Sequence, residues 1–292
     1  SSLPVRKLGS MVLGLNEWIW RRLPPSLRQS RLGRQYGHFI HRLVLIRGWR
    51  EPNGGTYLLR NRSELELIQD LIEMRPPGDP FRIAVLGCSN GMELYSICWQ
   101  LRDLSPWRDI RFVGMDLDAA SVDTARAGAY SLPEHAWMLS RLSAAERVEI
   151  LEAGDGEVCI RDGFRRGVQW LAGDACRADL RERLGLQDLV LANRFLCHMA
   201  PASARACLRN ILELVAPGGY LFVSGVDLDV RQSVLRSSDF VPLRDRLPAI
   251  HEGDPSLLEG WPLRCWGLEP LDIRRADWVS RYAMVYQRVR TS

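Results

Sequence analysis

The 292-residue sequence predicts an α/β fold: a mostly parallel sheet with helices on both faces, preceded by a short helical N-terminal cap. Three observations predict it. From Phe81 onward, strand-length apolar runs alternate with helical stretches, and strands that are apolar throughout belong to parallel sheets covered on both sides. The first of these runs passes through Gly87-Cys88-Ser89-Asn90-Gly91 straight into a helix, a junction that places backbone donors at the carboxyl edge of such a sheet. Ahead of them, residues 14–48 interleave apolar and basic positions at helical spacing.

The elements follow in order. Pro24-Pro25 divides the 14–48 stretch into two helices, and Glu51-Pro52-Asn53-Gly54-Gly55 is a turn or loop. Ser63, standing before Glu64, Glu66 and the series Leu65, Leu67, Ile68, Leu71 and Ile72, predicts a capped helix that ends before Pro76-Pro77-Gly78. That turn is the seam between a basic helical cap, residues 1–75, and a main domain, residues 76–292. The predicted strands are Arg82–Leu86, Ile110–Met115, Val168–Ala172, Leu189–Ala192 and Tyr220–Gly225, with helices over Asn90–Leu101, Ala119–Ala127 and Ala202–Val215. Residues 131–167 interrupt the rhythm with a helical stretch over Ser143–Leu151 and strand-like pieces around Val158 and Phe164. The alternating Tyr282–Val289 predicts an antiparallel edge strand.

Composition bounds the function. With 46% hydrophobic and 25% charged residues the chain is that of a soluble globular protein. No apolar run reaches the length of a membrane span, and the Ser-Ser-Leu-Pro start reads as trimmed rather than as a signal peptide. Seven cysteines, an odd number with no zinc or redox spacing, predict reduced thiols, a cytoplasmic location and no metal. The net charge of +4 hides an asymmetry: residues 1–62 carry twelve basic side chains against Glu17 and Glu51, leaving the remainder at −6. Such a block suits an acidic partner, a membrane surface or nucleic acid, and equally a solvated amphipathic face.

Chemistry is concentrated at the strand ends. Gly87 and Gly91 let backbone approach a bound nucleoside or amino acid, while the helix start offers free N–H donors. The loop is not GxGxxG and carries no phosphate-binding lysine, which disfavours dinucleotides and nucleotide phosphates. Asp116, at the end of the second strand, is placed to accept from both ribose hydroxyls. Its alternative role as a helix cap falls to Asp118, directly before Ala119-Ala120. Asp174, just past the third strand, is placed to accept from an adenine amino group or to cap a helix.

Residues 56–226 resemble the catalytic domain of the chemotaxis receptor methyltransferase (CheR) family. Thr56-Tyr57-Leu58-Leu59-Arg60 is similar to its T-x-F-F-R, and Gly87-Cys88-Ser89-Asn90-Gly91-Met92-Glu93-Leu94-Tyr95-Ser96 to its G-C-S-T-G-E-E-P-Y-S. Asp116-Leu117-Asp118 with Ala125-Arg126-Ala127-Gly128-Ala129-Tyr130 resembles D-I-D with A-R-x-G-x-Y. Asn193-Arg194-Phe195-Leu196-Cys197-His198 stands where R-N-V-L-I-Y is expected, followed by Ala216-Pro217-Gly218-Gly219-Tyr220-Leu221-Phe222. The resemblance implies a class I methyltransferase (Rossmann-like) fold with a seven-stranded sheet, and S-adenosylmethionine as cofactor with S-adenosylhomocysteine as product. In that family the acceptor is a protein glutamate carboxylate.

Position by position, the resemblance implies cofactor contacts at Thr56, Arg60, Glu93, Asp116, Asp174, Ala175, Asn193 and Arg194. Gly87, Cys88, Ser89 and Leu117, from the same motifs, complete the candidate cofactor set. Glu93 suits the positive end of a sulfonium amino acid, and Arg60 its carboxylate or the acceptor. The departures bear on the acceptor. Met92 replaces a family glutamate, Leu94 a helix-entry proline, Asn193-Arg194 inverts the family order, and the N-terminal helical domain is shortened.

His198 occupies the position of the family's active-site tyrosine. A carboxylate is already ionised and needs no base, whereas a hydroxyl must lose its proton, a task for histidine. Read so, His198 is a general base and, with Arg60, the catalytic pair; the alternative is a histidine packed in the pocket wall. His251, Glu252, Trp261 and Trp266 offer aromatic faces and a carboxylate for a sugar-like acceptor, or an ordinary closing hairpin. The first expectation is therefore O-methylation of a glycan or small-molecule hydroxyl. The second is methylation of a protein glutamate, with the basic cap facing an acidic or peripheral partner. The third is a cofactor-binding sensor without catalysis. Nucleic acid is not expected, since no Asn/Asp-Pro-Pro-Tyr/Phe motif is present.

Overall fold

A computed structural model describes residues 3–47, 56–76, 78, 80–104, 109–139, 141–154, 156–254, 260–264 and 268–290. The cap opens with α1 (Leu3–Arg22), α2 (Pro25–Gln29) and α3 (Arg31–Arg47). Pro24 lies between α1 and α2, and Pro25 starts α2, where its missing N–H costs nothing. Leu13 and Trp20 of α1 pack on Ile40 and Val44 of α3, a small core completed by Trp261 from far down the chain.

Next comes α4 (Arg62–Glu73). Its N-cap is Asn61 rather than the expected Ser63: the Asn61 side chain accepts from the Glu64 N–H at 3.3 Å. The same amide donates to the Ile250 carbonyl at 2.9 Å, so one side chain both caps the helix and reaches a distant stretch of chain. Leu65, Ile68 and Ile72 of α4 are buried in the principal core, so this helix packs with the sheet rather than with α1–α3.

The main sheet then forms from β1 (Phe81–Leu86), α5 (Met92–Gln100), β2 (Ile110–Asp116) and α6 (Ala119–Ala127). An insert follows: β3 (Ala129–Ser131), α7 (Leu132–His135), α8 (Ala144–Ile150), β4 (Leu151–Ala153) and β5 (Glu157–Ile160), with β3, β5 and β4 in a small antiparallel sheet. Ser143 and Glu146 cap α8 reciprocally. Phe164, expected in a strand-like piece, lies instead in α9 (Asp162–Arg165). The remainder is β6 (Val168–Ala172), α10 (Leu180–Leu184), β7 (Gln187–Asn193), α11 (Pro201–Leu214), β8 (Val215–Ser224), α12 (Leu228–Leu235), β9 (Phe240–Pro242), α13 (Leu247–Glu252), α14 (Trp278–Tyr282) and β10 (Val285–Arg288).

The seven-stranded sheet has the order β6-β2-β1-β7-β8-β10-β9. Strands β6 to β8 are parallel along that order and β10 is antiparallel to both its neighbours. The C-terminal strand is thus antiparallel as expected but not at the edge, because β9 pairs outside it through Tyr286 and Pro242. It is also shorter than expected: Tyr282 ends a helix and is fully buried. Proline at β9 suits an edge, where a missing N–H leaves no partner unserved.

Side-chain alternation splits the sheet between two cores. Ile83, Val85, Leu189, Leu191 and Phe222 face α4, α5 and the insert, while Ala84, Leu86, Val190, Ala192, Leu221 and Val223 face α11 and α12. Burying both faces explains why the central positions of these strands, Ile83–Leu86, Leu189–Ala192 and Leu221–Val223, are all apolar.

Candidate functional site

The carboxyl ends of β1, β2 and β7 open into one cleft of about 290 Å³. It is lined by Thr56, Arg60, Gly87, Cys88, Ser89, Glu93, Asp116, Asp118, Ser121, Asn193, Arg194, Phe195 and His198. Ten residues singled out in the sequence therefore meet around a single void. Two glycines make the approach geometrically feasible: Gly87 has φ +68° and a Cβ there would lie 2.7 Å from the Phe195 ring, while Gly91 has φ +88° and a Cβ would lie 2.8 Å from Trp170.

Asp116 is held by backbone. Its Oδ2 accepts from the Ser89 N–H at 2.7 Å and its Oδ1 from the Asp118 N–H at 3.0 Å, which fixes the plane of the carboxylate and leaves further lone pairs for a ligand. Asp118 accepts from Ala120 and Ser121 at the start of α6, so the cap of that helix is Asp118 and not Asp116.

The other wall is a network of charged groups. Arg60 donates to Glu93 at 3.1 Å and lies 3.5 Å from Asp254, and Arg194 forms a close ion pair with the same Asp254. Tyr57 Oη donates to Asp254 Oδ1 at 3.2 Å. The Asn193 amide donates to Glu93 at 2.8 Å and to Glu64 at 3.0 Å, and its carbonyl oxygen accepts from the Ser224 hydroxyl at 2.8 Å. Ser224 thereby fixes which way the amide points.

Burial of Glu64, with the Glu93 charge beside it, pushes its carboxyl up to about 8. Burial also draws Arg194 down to about 10, helped by the like charge of Arg60. Arg60 moves the other way: burial opposes its charge, but Glu93 and Asp254 raise it overall.

Arg194 stands at φ +63°, where a side chain other than glycine is strained. Its N–H donates to the Ser224 carbonyl at 2.9 Å, and the backbone opposite is Gly225, whose Cβ would fall 2.8 Å from Arg194 Cα. The inverted Asn-Arg order thus places a short amide into the carboxylate network and turns the long guanidinium toward Asp254. Met92 and Leu94, the other departures, are fully buried in the core beneath α5. His198, on a turn of 3-10 helix over Leu196–His198, is half-buried and lines the cleft.

Several expected residues stand elsewhere. Asp174 accepts from the Cys176 N–H at 2.8 Å and caps its own turn, Ala175 is buried in the core under α11, and Leu117 is 75% exposed beside Asp116. The acceptor pocket expected from the C-terminal aromatics is corrected by burial. His251 is fully buried, with Nε2 2.9 Å from the Glu269 carbonyl and its ring edge-on to Tyr282. Trp261 is enclosed in the cap core, 5.5 Å from Trp20 and seated over Gly37, where a Cβ would lie 2.1 Å from the indole. These side chains pack because an apolar ring gains more from enclosure than from water. Glu252 is exposed at the end of α13, and Trp266 lies outside the described residues.

Glu64, Asp254, Tyr57 and Ser224 were not singled out. Glu64 reads as an ordinary acidic first-turn residue of a helix, and Asp254 as an ordinary loop carboxylate. The one signal available for Asp254 is its place between glycine and proline, a loop position that points a carboxylate away from regular structure. Among the described residues no cluster of three or more metal-ligating side chains occurs.

Comparison with known proteins places these features. Residues 55–233 match the model of the family described as CheR methyltransferase, SAM binding domain. Chemotaxis protein methyltransferase 2 of Vibrio cholerae is 28% identical over 178 residues, covering 58% of this chain and 60% of that protein. A probable biofilm formation methyltransferase of Pseudomonas putida, WspC, is 28% identical over 187 residues, covering 63% of this chain and 42% of that protein. The chain thus spans three fifths or less of the length of these curated relatives. Among solved structures, a SAM-bound amino pentose methyltransferase from Micromonospora echinaspora aligns at 21% identity with a TM-score of 0.33, over 55% of this chain and 49% of that one.

Proposed function

The chain belongs to the CheR methyltransferase family, and from that premise we propose that it transfers a methyl group from S-adenosylmethionine to a carboxylate oxygen of an acidic acceptor. The observation that carries the proposal is the convergence of Asp116, Glu93, Asn193 and two guanidinium groups, Arg60 and Arg194, on one cleft. The residues present fit the cofactor. Asp116, its plane held by two backbone N–H groups, suits a vicinal ribose diol. Glu93 suits the cationic end of the methionine moiety, and Arg60 its carboxylate. Leu117, exposed beside Asp116, would cover an apolar purine face.

When bound, S-adenosylmethionine supplies an electrophilic methyl group with a neutral thioether leaving group. The chain supplies alignment. Arg194, held from below by Asp254, orients a carboxylate acceptor in line, and positioning of this kind accounts for much of the rate in a direct displacement. No proton has to be removed from such an acceptor.

A second reading, methylation of a glycan or small-molecule hydroxyl, is favoured by one observation: His198, the residue that differs from the family's tyrosine, lines the same cleft. Base treatment separates the two. With tritiated cofactor, a carboxylate product is an ester that releases volatile methanol in mild alkali, whereas an ether holds its label. Calorimetry tests the premise beneath both: S-adenosylhomocysteine should bind the wild-type chain, and Asp116→Ala should weaken it by roughly a hundredfold, the worth of a paired hydrogen bond to a charged group at about 3 kcal/mol. Failure of folded wild type to bind would remove both acceptor readings.

A further inference from the structure

The cap helix α1 has two apolar faces, and only one is covered. Leu13 and Trp20 are buried against α3, while Met11, Val12, Leu15 and Trp18 are 67%, 40%, 59% and 53% exposed. Positions 11, 15 and 18 fall on one stripe of a helix, opposite the buried pair. Four large apolar side chains on adjoining positions are more than the scattered single residues that any surface carries.

The flank of that stripe is cationic. The Arg22 guanidinium lies 3.9 Å over the Trp18 ring, and Arg28 donates to the Arg21 carbonyl at 2.8 Å, which gathers three guanidinium groups at the carboxyl end of α1. From Met11 to Ile46 the chain holds six arginines and a single acidic residue, Glu17. Glu17 is itself paired with Arg21 at 2.7 Å.

We propose that α1 docks on an anionic lipid surface, lying in the interface with Met11, Leu15 and Trp18 inserted and the arginines among the head groups. The shape favours lipid over an acidic protein. The stripe is the ridge of an outer helix packed against α3, and a ridge needs a matching groove in a protein partner, whereas the interface yields around it. The chemistry agrees with the shape. An indole belongs at the border between acyl chains and head groups, and an arginine reaches from an apolar face to phosphate along its own methylenes. Clustered arginines select anionic over zwitterionic head groups.

The test is sedimentation of the full chain with large vesicles of phosphatidylcholine alone, or of phosphatidylcholine with phosphatidylserine, at low and high salt. The expected result is binding to the phosphatidylserine vesicles, weakened by salt, with little binding to phosphatidylcholine alone. Leu15→Glu with Trp18→Glu should lower the partition at least about tenfold, and Arg21→Glu with Arg22→Glu should do the same. Both pairs are solvent-exposed and separate from the cleft, so each variant should keep the wild-type unfolding midpoint and affinity for S-adenosylhomocysteine, which separates lost docking from lost folding. Four outcomes overturn the proposal: no affinity for anionic vesicles; binding that survives Leu15→Glu with Trp18→Glu; a wild-type dimer that this pair dissolves, which would mean a second copy covers the stripe; or capture of an acidic helical peptide by a chain with no affinity for vesicles.

Discussion

Asp254 is the residue on which the cleft's electrostatics turn. It is 4% exposed and joins two guanidinium groups and the Tyr57 hydroxyl. Replacing it with asparagine leaves Arg60 and Arg194 repelling each other in a buried site, and breaking a buried pair from one side costs about 3 to 5 kcal/mol. Denaturant melts of Asp254→Asn should show a loss of that order. Glu64 makes the second prediction at this scale. Its folded-state value, about 8, lies above the ordinary 4.5, so the native state holds a proton that the unfolded chain gives up sooner. Its contribution to stability is whole below pH 4.5 and is lost as pH rises through about 8. Wild-type stability should therefore fall across that window, and Glu64→Gln should flatten the fall when melts are compared at its two ends. The sequence displayed the half of this site that the backbone makes: Gly87, Asp116 and Asn193 stand at strand ends, and strand ends are legible. It concealed the half made by distant side chains, because nothing local to Glu64 or Asp254 says that Asn193 or Arg194 will meet it.

At the scale of elements, the parallel strands were readable because burial on both faces makes their central positions uniformly apolar, with polar residues confined mostly to the ends. The chain's end was harder. Tyr282 begins an alternating run but is fully buried at the end of a helix, and the pairing of β9 outside β10 involves only three residues of β9, too few for a periodic signal. The join between cap and sheet was invisible for a different reason: it depends on Trp261 entering a notch left by Gly37, a fit between residues more than two hundred positions apart. That fit is testable. Trp261→Ala opens a cavity in the cap core and should cost about 3 to 5 kcal/mol, seen as faster hydrogen exchange along α1 and α3. Gly37→Ala should reproduce the effect from the other side, since the new methyl group claims the space of the indole.

For the molecule as a whole, cofactor binding and folding are linked. S-adenosylhomocysteine at a hundred times its dissociation constant should stabilise the chain by about 2.7 kcal/mol, read as a rise in the unfolding midpoint, and at the same ligand concentration Asp116→Ala should cut that to about 0.4 kcal/mol. The cap is tied to the main domain by Trp261, by the contact of His41 Nδ1 with the Pro262 carbonyl at 3.1 Å and by Arg34 donating to the Leu271 carbonyl at 3.4 Å. Asp254, which steadies both cleft arginines, and Trp261, which anchors the cap, belong to one stretch of chain seven positions apart. Free energy is a state function, so any coupling between the cap and the cleft is reciprocal. Whatever factor an occupied cap imposes, through Trp261, on the grip of the arginines around a cofactor, an occupied cleft imposes in equal measure, through Asp254, on the affinity of the cap for its own surface.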